Sequence, residues 1–417
     1  MDFIFSYVEF YCIITLIIYI LNKNAMTKLN IYGGKEMKVT VAIDSFKGSL
    51  SSIEAGNAIV DGIKRVDPQA KVCVRPLADG GEGTVEALVK GMNGTFQKAT
   101  VTGPLGAKVE SQYGILNESN TAIIEMSSAA GITLIKPEER NPLHTTTYGV
   151  GEMMKDAIAK GCRRFIVGIG GSATNDCGIG MLQALGYEFL NKDGKQVSFG
   201  AEGVRDIIAI RDEHVIPELK DCTFQIACDV TNPLCGDRGC SVIYGPQKGA
   251  TKEMIRDMDQ WFSKFAALAK ETYPNADADA PGTGAAGGMG FAFLTFTNAV
   301  LESGIQIVLK ETELEEYIKD ADIVITGEGR LDGQTAMGKA PVGVAKLAKK
   351  YNKPVLAFAG CVIKEAVECN HEGIDAFFPI VRRSTTLEEA MDYNNACNNM
   401  MDTVEQAFRL IQCFRKK

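Results

Sequence analysis

The sequence predicts an α/β protein with a mainly parallel sheet. From Met37 onward short apolar runs alternate with amphipathic stretches, and the runs end in loops rich in Gly, Asp or Ser. In order, 39–43, 72–76, 164–169, 224–228, 322–326, 354–359 and 376–380 read as buried strands. Residues 255–269 put Ile255, Met258, Trp261, Phe262, Phe265 and Leu268 on one helical face, which assigns the single Trp to the core. Residues 100–120 differ: β-type alternation around turns at Gly103-Pro104 and Gly106 marks entry into a second domain. The Gly-rich stretch 274–290 marks the return.

Composition narrows the function. The 417 residues carry 52 acidic and 44 basic side chains, so the net charge of −8 offers nucleic acid no electrostatic footprint. Twelve Cys in so long a chain are too dilute for a disulfide framework and read as reduced thiols of a cytoplasmic protein. Residues 3–21 are nearly all apolar apart from Glu9, long enough to span a bilayer, yet no basic region precedes them and no small-residue cleavage site follows. Residues 1–36 are expected to lie outside the functional fold as sequence translated ahead of a start at Met37 or Met26, with a membrane anchor as the alternative reading.

In parallel sheets ligands bind beyond the carboxyl ends of strands, so the loops there carry the candidate chemistry. Four are polar and Gly-rich: Asp44-Ser45-Phe46-Lys47-Gly48-Ser49, Ala78-Asp79-Gly80-Gly81-Glu82-Gly83-Thr84, Gly168 through Asp176, and Thr326 through Gln334. Any one could be a tight turn with a capping Asp; four at equivalent strand ends point to a site. Ser49 or Ser51 is placed to cap the first helix, and the amides of Gly170, Gly171 and Ser172, with the helix that follows, form a candidate anion nest.

Two familiar fingerprints are nearly matched. Gly333-x4-Gly338-Lys339 has phosphate-loop spacing, but Ala340 replaces the hydroxyl that Mg²⁺ requires and no predicted strand immediately precedes it. Gly168-x-Gly170-x-x-Ala173, with Glu188 downstream, resembles the dinucleotide fingerprint and keeps a hydroxy-acid dehydrogenase using NAD(P) open; Asp176 at the helix start argues against it. Cys228, Cys235 and Cys240 lack metal-site spacing, and His144, His214 and His371 are scattered. The remaining Asp, Glu, Lys, Arg and Gly loops suit phosphoryl transfer, where catalysis is positioning plus charge neutralisation.

Taken together, the loops above and the blocks Val101–Gly106, Ala227–Leu234 and Gly245-Pro246-Gln247-Lys248-Gly249-Ala250 resemble the bacterial type 1 glycerate kinase family, in the family's order, from about Met37 to the final helix. The departures are Cys177, where Gly is usual, and Cys240, where a small residue is usual. The resemblance implies phosphorylation of D-glycerate by ATP with Mg²⁺ in the cytoplasm, the 2-phosphate being favoured over the 3-phosphate. It also implies a discontinuous flavodoxin-like domain (37–98 and 296–417) interrupted by a restriction-endonuclease-like α/β domain (99–295). The partner is then a small molecule, with neither nucleic acid nor membrane, and the oligomeric state stays open. A non-catalytic binder of organic acids is the other alternative.

Roles follow from the substrate, whose carboxylate needs cations or amides and whose reacting hydroxyl needs an acid beside it. Asp176 is the expected base and Asp79 the second candidate. Lys47 and Arg330 are expected on the carboxylate and the transferring phosphoryl, with Asp44, Ser45, Gly80, Gly81 and Glu82 lining the substrate pocket. Gly170, Gly171, Ser172, Asn175, Lys248 and Lys339 are assigned to the nucleotide, and Asp229, Glu328 and Asp332 to Mg²⁺.

Overall fold

The computed structural model describes residues 36–81 and 83–415, so the apolar run at 3–21, on which the leader expectation rests, and Glu82 lie outside the described residues. Among those described, the strands are β1 (Lys38–Val41), β2 (Lys71–Val74), β3 (Gly94–Thr102), β4 (Lys108–Leu116), β5 (Thr121–Glu125), β6 (Arg164–Gly168), β7 (Glu188–Leu190), β8 (Ala209–Arg211), β9 (Thr223–Ala227), β10 (Ala299–Glu302), β11 (Ile323–Leu331), β12 (Val355–Val362) and β13 (Ala376–Pro379). The first sheet, in the order β13-β12-β11-β1-β2, is parallel throughout. The second runs β10-β9-β6-β5-β4-β3, parallel from β10 to β5 and antiparallel across β4 and β3. A separate antiparallel pair joins β7 and β8.

Both ends of the chain build the first sheet. Counted within it, its strands stand in the flavodoxin-like order 2-1-3-4-5, which puts the topological switch point between β1 and β11. Each of the seven expected strands is present. Strands β5, β7, β8 and β10, of three to five residues, are additional to those expected. The second sheet begins at Gly94 and ends at Glu302, so its strands reach a few residues beyond 99–295 on each side.

Alternation along buried strands decides how the layers pack. Val39 and Val41 face one core with Ile59 and Ile63 of the helix Ser52–Lys64 and Val404 and Phe408 of the helix Tyr393–Arg415. Ala42 and Val324 face the opposite core, which runs on through Leu88 and Ile305 to Ile123 and Ile166 of the second sheet. One apolar layer therefore joins the two sheets, and burying each of its large aliphatic side chains stabilises the fold by roughly 1.5–3 kcal/mol. Trp261 is half-buried against the second sheet's core, under the guanidinium of Arg205 at 5.6 Å.

The backbones meet at Gly80. Its φ of +85° is left-handed, and a Cβ there would lie 2.6 Å from Ala227 Cβ and 2.7 Å from Gly304 Cα. Glycine is thus needed for close approach as well as for conformation. No helix among the described residues is long and apolar enough to cross a membrane.

Candidate active site

The first wall of the site forms at the switch point. Past β1, Phe46 bonds back to Leu50 and Ser51 caps the next helix in a capping box with Glu54, which leaves Lys47 and Gly48 exposed at the tip of a tight turn. Gly329 lies under that turn, where a Cβ would sit 3.5 Å from Phe46 Cα, so the β1 and β11 loops stack.

Three acids gather here. Asp44 is buried and accepts one hydrogen bond, from the Ser45 amide at 2.6 Å. Burial, and then the nearby charge of Asp79, push its pKa up to about 7, with Glu328 adding to the shift and Lys47 opposing it. Glu328 is also raised, chiefly by burial, although it accepts a hydrogen bond from Thr335 Oγ1 at 2.6 Å and feels the positive charge of Lys339. Asp79 is half-buried and accepts from the Gly81 amide at 2.9 Å. The cations Lys47, Arg330 and Lys339 share this wall, Arg330 lying 3.5 Å from Asp332.

The second sheet supplies the facing wall. A cleft of about 400 Å³ is lined by Asp79, Gly80 and Gly81 on one side and by Gly170, Gly171, Ser172, Cys228, Asp229, Tyr244 and Lys248 on the other. The Gly171 carbonyl and Ala173 amide are bound to Ile132 and Ala130, which fixes the loop. The amides of Gly170, Gly171 and Ser172 have no acceptor among the described residues, and Gly171 is left-handed at φ +71°. Such consecutive free amides receive an oxyanion. The expected help from a helix is missing, because the helix starts only at Ile179.

Several expectations need correction. Asp176 does not face the cleft: it is fully buried, with one oxygen accepting from the amide and hydroxyl of Thr147, both at 2.9 Å, and the other from the Gly178 amide at 3.0 Å. A carboxylate so held ties two segments together and, sealed away from the cleft, cannot reach a substrate proton. Asn175 is buried too, donating to Ser241 Oγ, and does not line the cleft. Lys339 stands with the acids of the first wall, apart from Lys248 on the second.

The proposed metal trio is likewise dispersed. Asp229 accepts from Ser303 Oγ and the Gly304 amide, Asp332 caps the helix Gly333–Ala336, and among the described residues no three His, Cys, Asp or Glu side chains gather as a metal site. Strand β11 runs to Leu331, so a strand does precede Gly333; the segment that follows is helical and does not wrap a phosphate. Glu188 opens β7, which pairs only with β8, and so stands outside the sheet edge a dinucleotide ribose would need. Ser45 lies beside Asp44, and Glu82 lies outside the described residues. Tyr244 and Gln247 line the cleft without having been given a role; Gln247 lies inside the block Gly245–Ala250 beside Lys248 and Tyr244 directly precedes it, which was the available signal.

This arrangement has close counterparts. The family model for the glycerate kinase family matches residues 39–412. A glycerate kinase of Haemophilus influenzae is 47% identical over 375 residues, covering 90% of this chain and 99% of its own. A glycerate 2-kinase of Escherichia coli is 46% identical over 363 residues, covering 87% of this chain and 95% of its own. A crystal structure assigned as glycerate kinase 2 from Salmonella typhimurium LT2 superposes with a TM-score of 0.85 at 42% identity, covering 92% of this chain and all of that one. The chain belongs to the glycerate kinase family.

Proposed function

We propose that this chain transfers the terminal phosphoryl group of ATP to D-glycerate, at the 2-hydroxyl in preference to the 3-hydroxyl. Family membership supports the reaction, and the name of the Escherichia coli relative supports the position. One observation carries the geometry: the Asp79 carboxylate and the free amides of Gly170–Ser172 line the same cleft, on loops that touch at Gly81 and Gly170. The carboxylate takes the proton of the attacking hydroxyl, while the amides hold an oxyanion of the phosphorylated partner. Lys47 and Arg330, at the switch point, bind the glycerate carboxylate and turn its hydroxyl toward Asp79.

The mutual repulsion of Asp44, Asp79 and Glu328 is the field a divalent cation relieves. Glu328 would hold Mg²⁺, with water and phosphate oxygens as its other ligands, and the ion would supply charge neutralisation on the phosphates.

An assay with ATP, Mg²⁺ and D-glycerate that follows ADP release tests the activity, and phosphorus NMR of the product reads the position. Absence of ADP release that depends on glycerate would overturn the reading; a 3-phosphate product would overturn only the regiochemistry.

A further inference from the structure

Lys248 is a buried lysine without an ionic partner. It is 1% exposed, yet it lines the cleft, and its ammonium donates to Ser172 Oγ at 2.8 Å and to the Thr174 carbonyl at 2.6 Å. Both acceptors are neutral, and among the described residues no carboxylate stands within ion-pair distance. An ammonium has three donors, so one remains. A charge removed from water and met only by neutral dipoles is costly unless a counter-charge arrives. Ser172, which Lys248 holds, contributes one of the three free amides of the nest.

We propose that Lys248 is the counter-charge of a phosphate subsite made with the amides of Gly170, Gly171 and Ser172, and that the nucleotide's phosphate, not the glycerate carboxylate, occupies it. This rests on the kinase reading above. Size and lining decide between the two anions. The cleft of about 400 Å³ also presents Ile132, Ile169, Val230 and Tyr244, and a three-carbon acid would leave most of it unfilled, whereas a site of this volume suits a nucleotide. The compact glycerate carboxylate has Lys47 and Arg330 on the other wall.

The same burial makes occupancy depend on protons. Burial lowers the Lys248 pKa to about 8, opposed only in part by Cys240 and Asp176, the titratable groups that face it. Burial raises both of those groups, the Cys240 thiol to about 12. In the free enzyme the counter-charge is therefore lost as pH rises through about 8, and a bound phosphate restores it by drawing a proton back.

Calorimetric titration of the full chain with ADP from pH 7 to 9.5 tests this without any substitution. The phosphates of ADP have shed their last proton by then (pKa about 6), so proton uptake on binding reports the protein. The expected result is uptake above pH 8, with affinity falling about tenfold per pH unit once Lys248 is neutral. Flat affinity and no uptake would make Lys248 a structural residue and overturn the proposal. In the second arm, Lys248→Met raises the Kd for ADP and the KM for ATP about 10- to 100-fold, removes the pH dependence, and leaves the KM for D-glycerate nearly unchanged. A rise in the glycerate KM with ADP affinity intact would give the subsite to the carboxylate instead. ADP binding is measured without glycerate, so failure of the proposed reaction and failure of this subsite are separate results.

Discussion

Asp79 and Asp176 sit in Gly-rich loops past parallel strands, one in each of the two sheets, and carry the same signal in sequence. Asp79 is half-buried, lines the cleft and accepts one hydrogen bond. Asp176 is sealed and accepts from Thr147 and Gly178 with both oxygens. The difference is access: a carboxylate can take a substrate proton only where the fold leaves an oxygen both unclaimed and open to the cleft. Asp79→Asn should therefore show the largest effect, a fall in kcat of roughly 10²- to 10⁴-fold. Its amide oxygen keeps the bond to Gly81, so the unfolding midpoint should barely move. Steady-state kinetics decide, and near-normal turnover would move the base to Asp44 or to positioning alone.

Asp176→Asn should behave the other way. It removes a buried charge whose hydrogen bonds join the segment at Thr147 to the start of the helix Ile179–Ala184, and stability should drop by about 2–4 kcal/mol. The kcat per folded molecule should stay close to that of the unchanged enzyme. Chemical denaturation gives the first quantity and active-site titration the second. A large loss of turnover in a stable variant would collapse the distinction between the walls.

This pair also shows what the sequence could convey. Seven of the parallel strands and their order along the chain were legible because each is an apolar run bounded by turn residues. The membership of the site was legible because Asp, Lys and Gly recur at the strand ends. Saturation was not. Asp176 is satisfied by Thr147, 29 residues upstream, and no local pattern announces that partner. Lys248 could be assigned to phosphate, yet its burial beneath Ser172 depends on a contact 76 residues away. The dispersal of Asp229 and Asp332 has the same origin, since helix starts at Ser303–Gly304 and at Gln334–Thr335 draw in their oxygens.

The comparison sharpens with pH. Folded Asp44 keeps its proton to about pH 7, whereas its ordinary value is 3.8. Between those values the folded state binds more protons than the unfolded one, so this group's contribution to stability falls as pH rises, by up to about 1.4 kcal/mol per unit. Asp44→Asn should flatten that part of the profile, gaining on the unchanged protein from pH 4 to 7. Denaturation at a series of pH values measures it; parallel profiles would mean that neither burial nor the neighbouring carboxylates hold the proton on Asp44.

The smallest effects belong to the exposed cations of the first wall. Arg330 is 61% exposed and lies 3.5 Å from Asp332, and Lys47 sits at an exposed turn tip, so water screens both. Each change to Met should cost about 1 kcal/mol of glycerate binding, seen as a five- to tenfold rise in KM, against a larger loss of nucleotide affinity for Lys248 in its buried setting. If both hold one carboxylate, the double variant should depart from additivity by about 0.5 kcal/mol or more, because the second cation is lost from an anion already displaced. The Gly329 contact beneath Phe46 stacks their loops closely enough for that coupling. Additive losses in the glycerate KM would give the two cations separate places, and a rise in the ATP KM instead would carry the nucleotide across to the first wall.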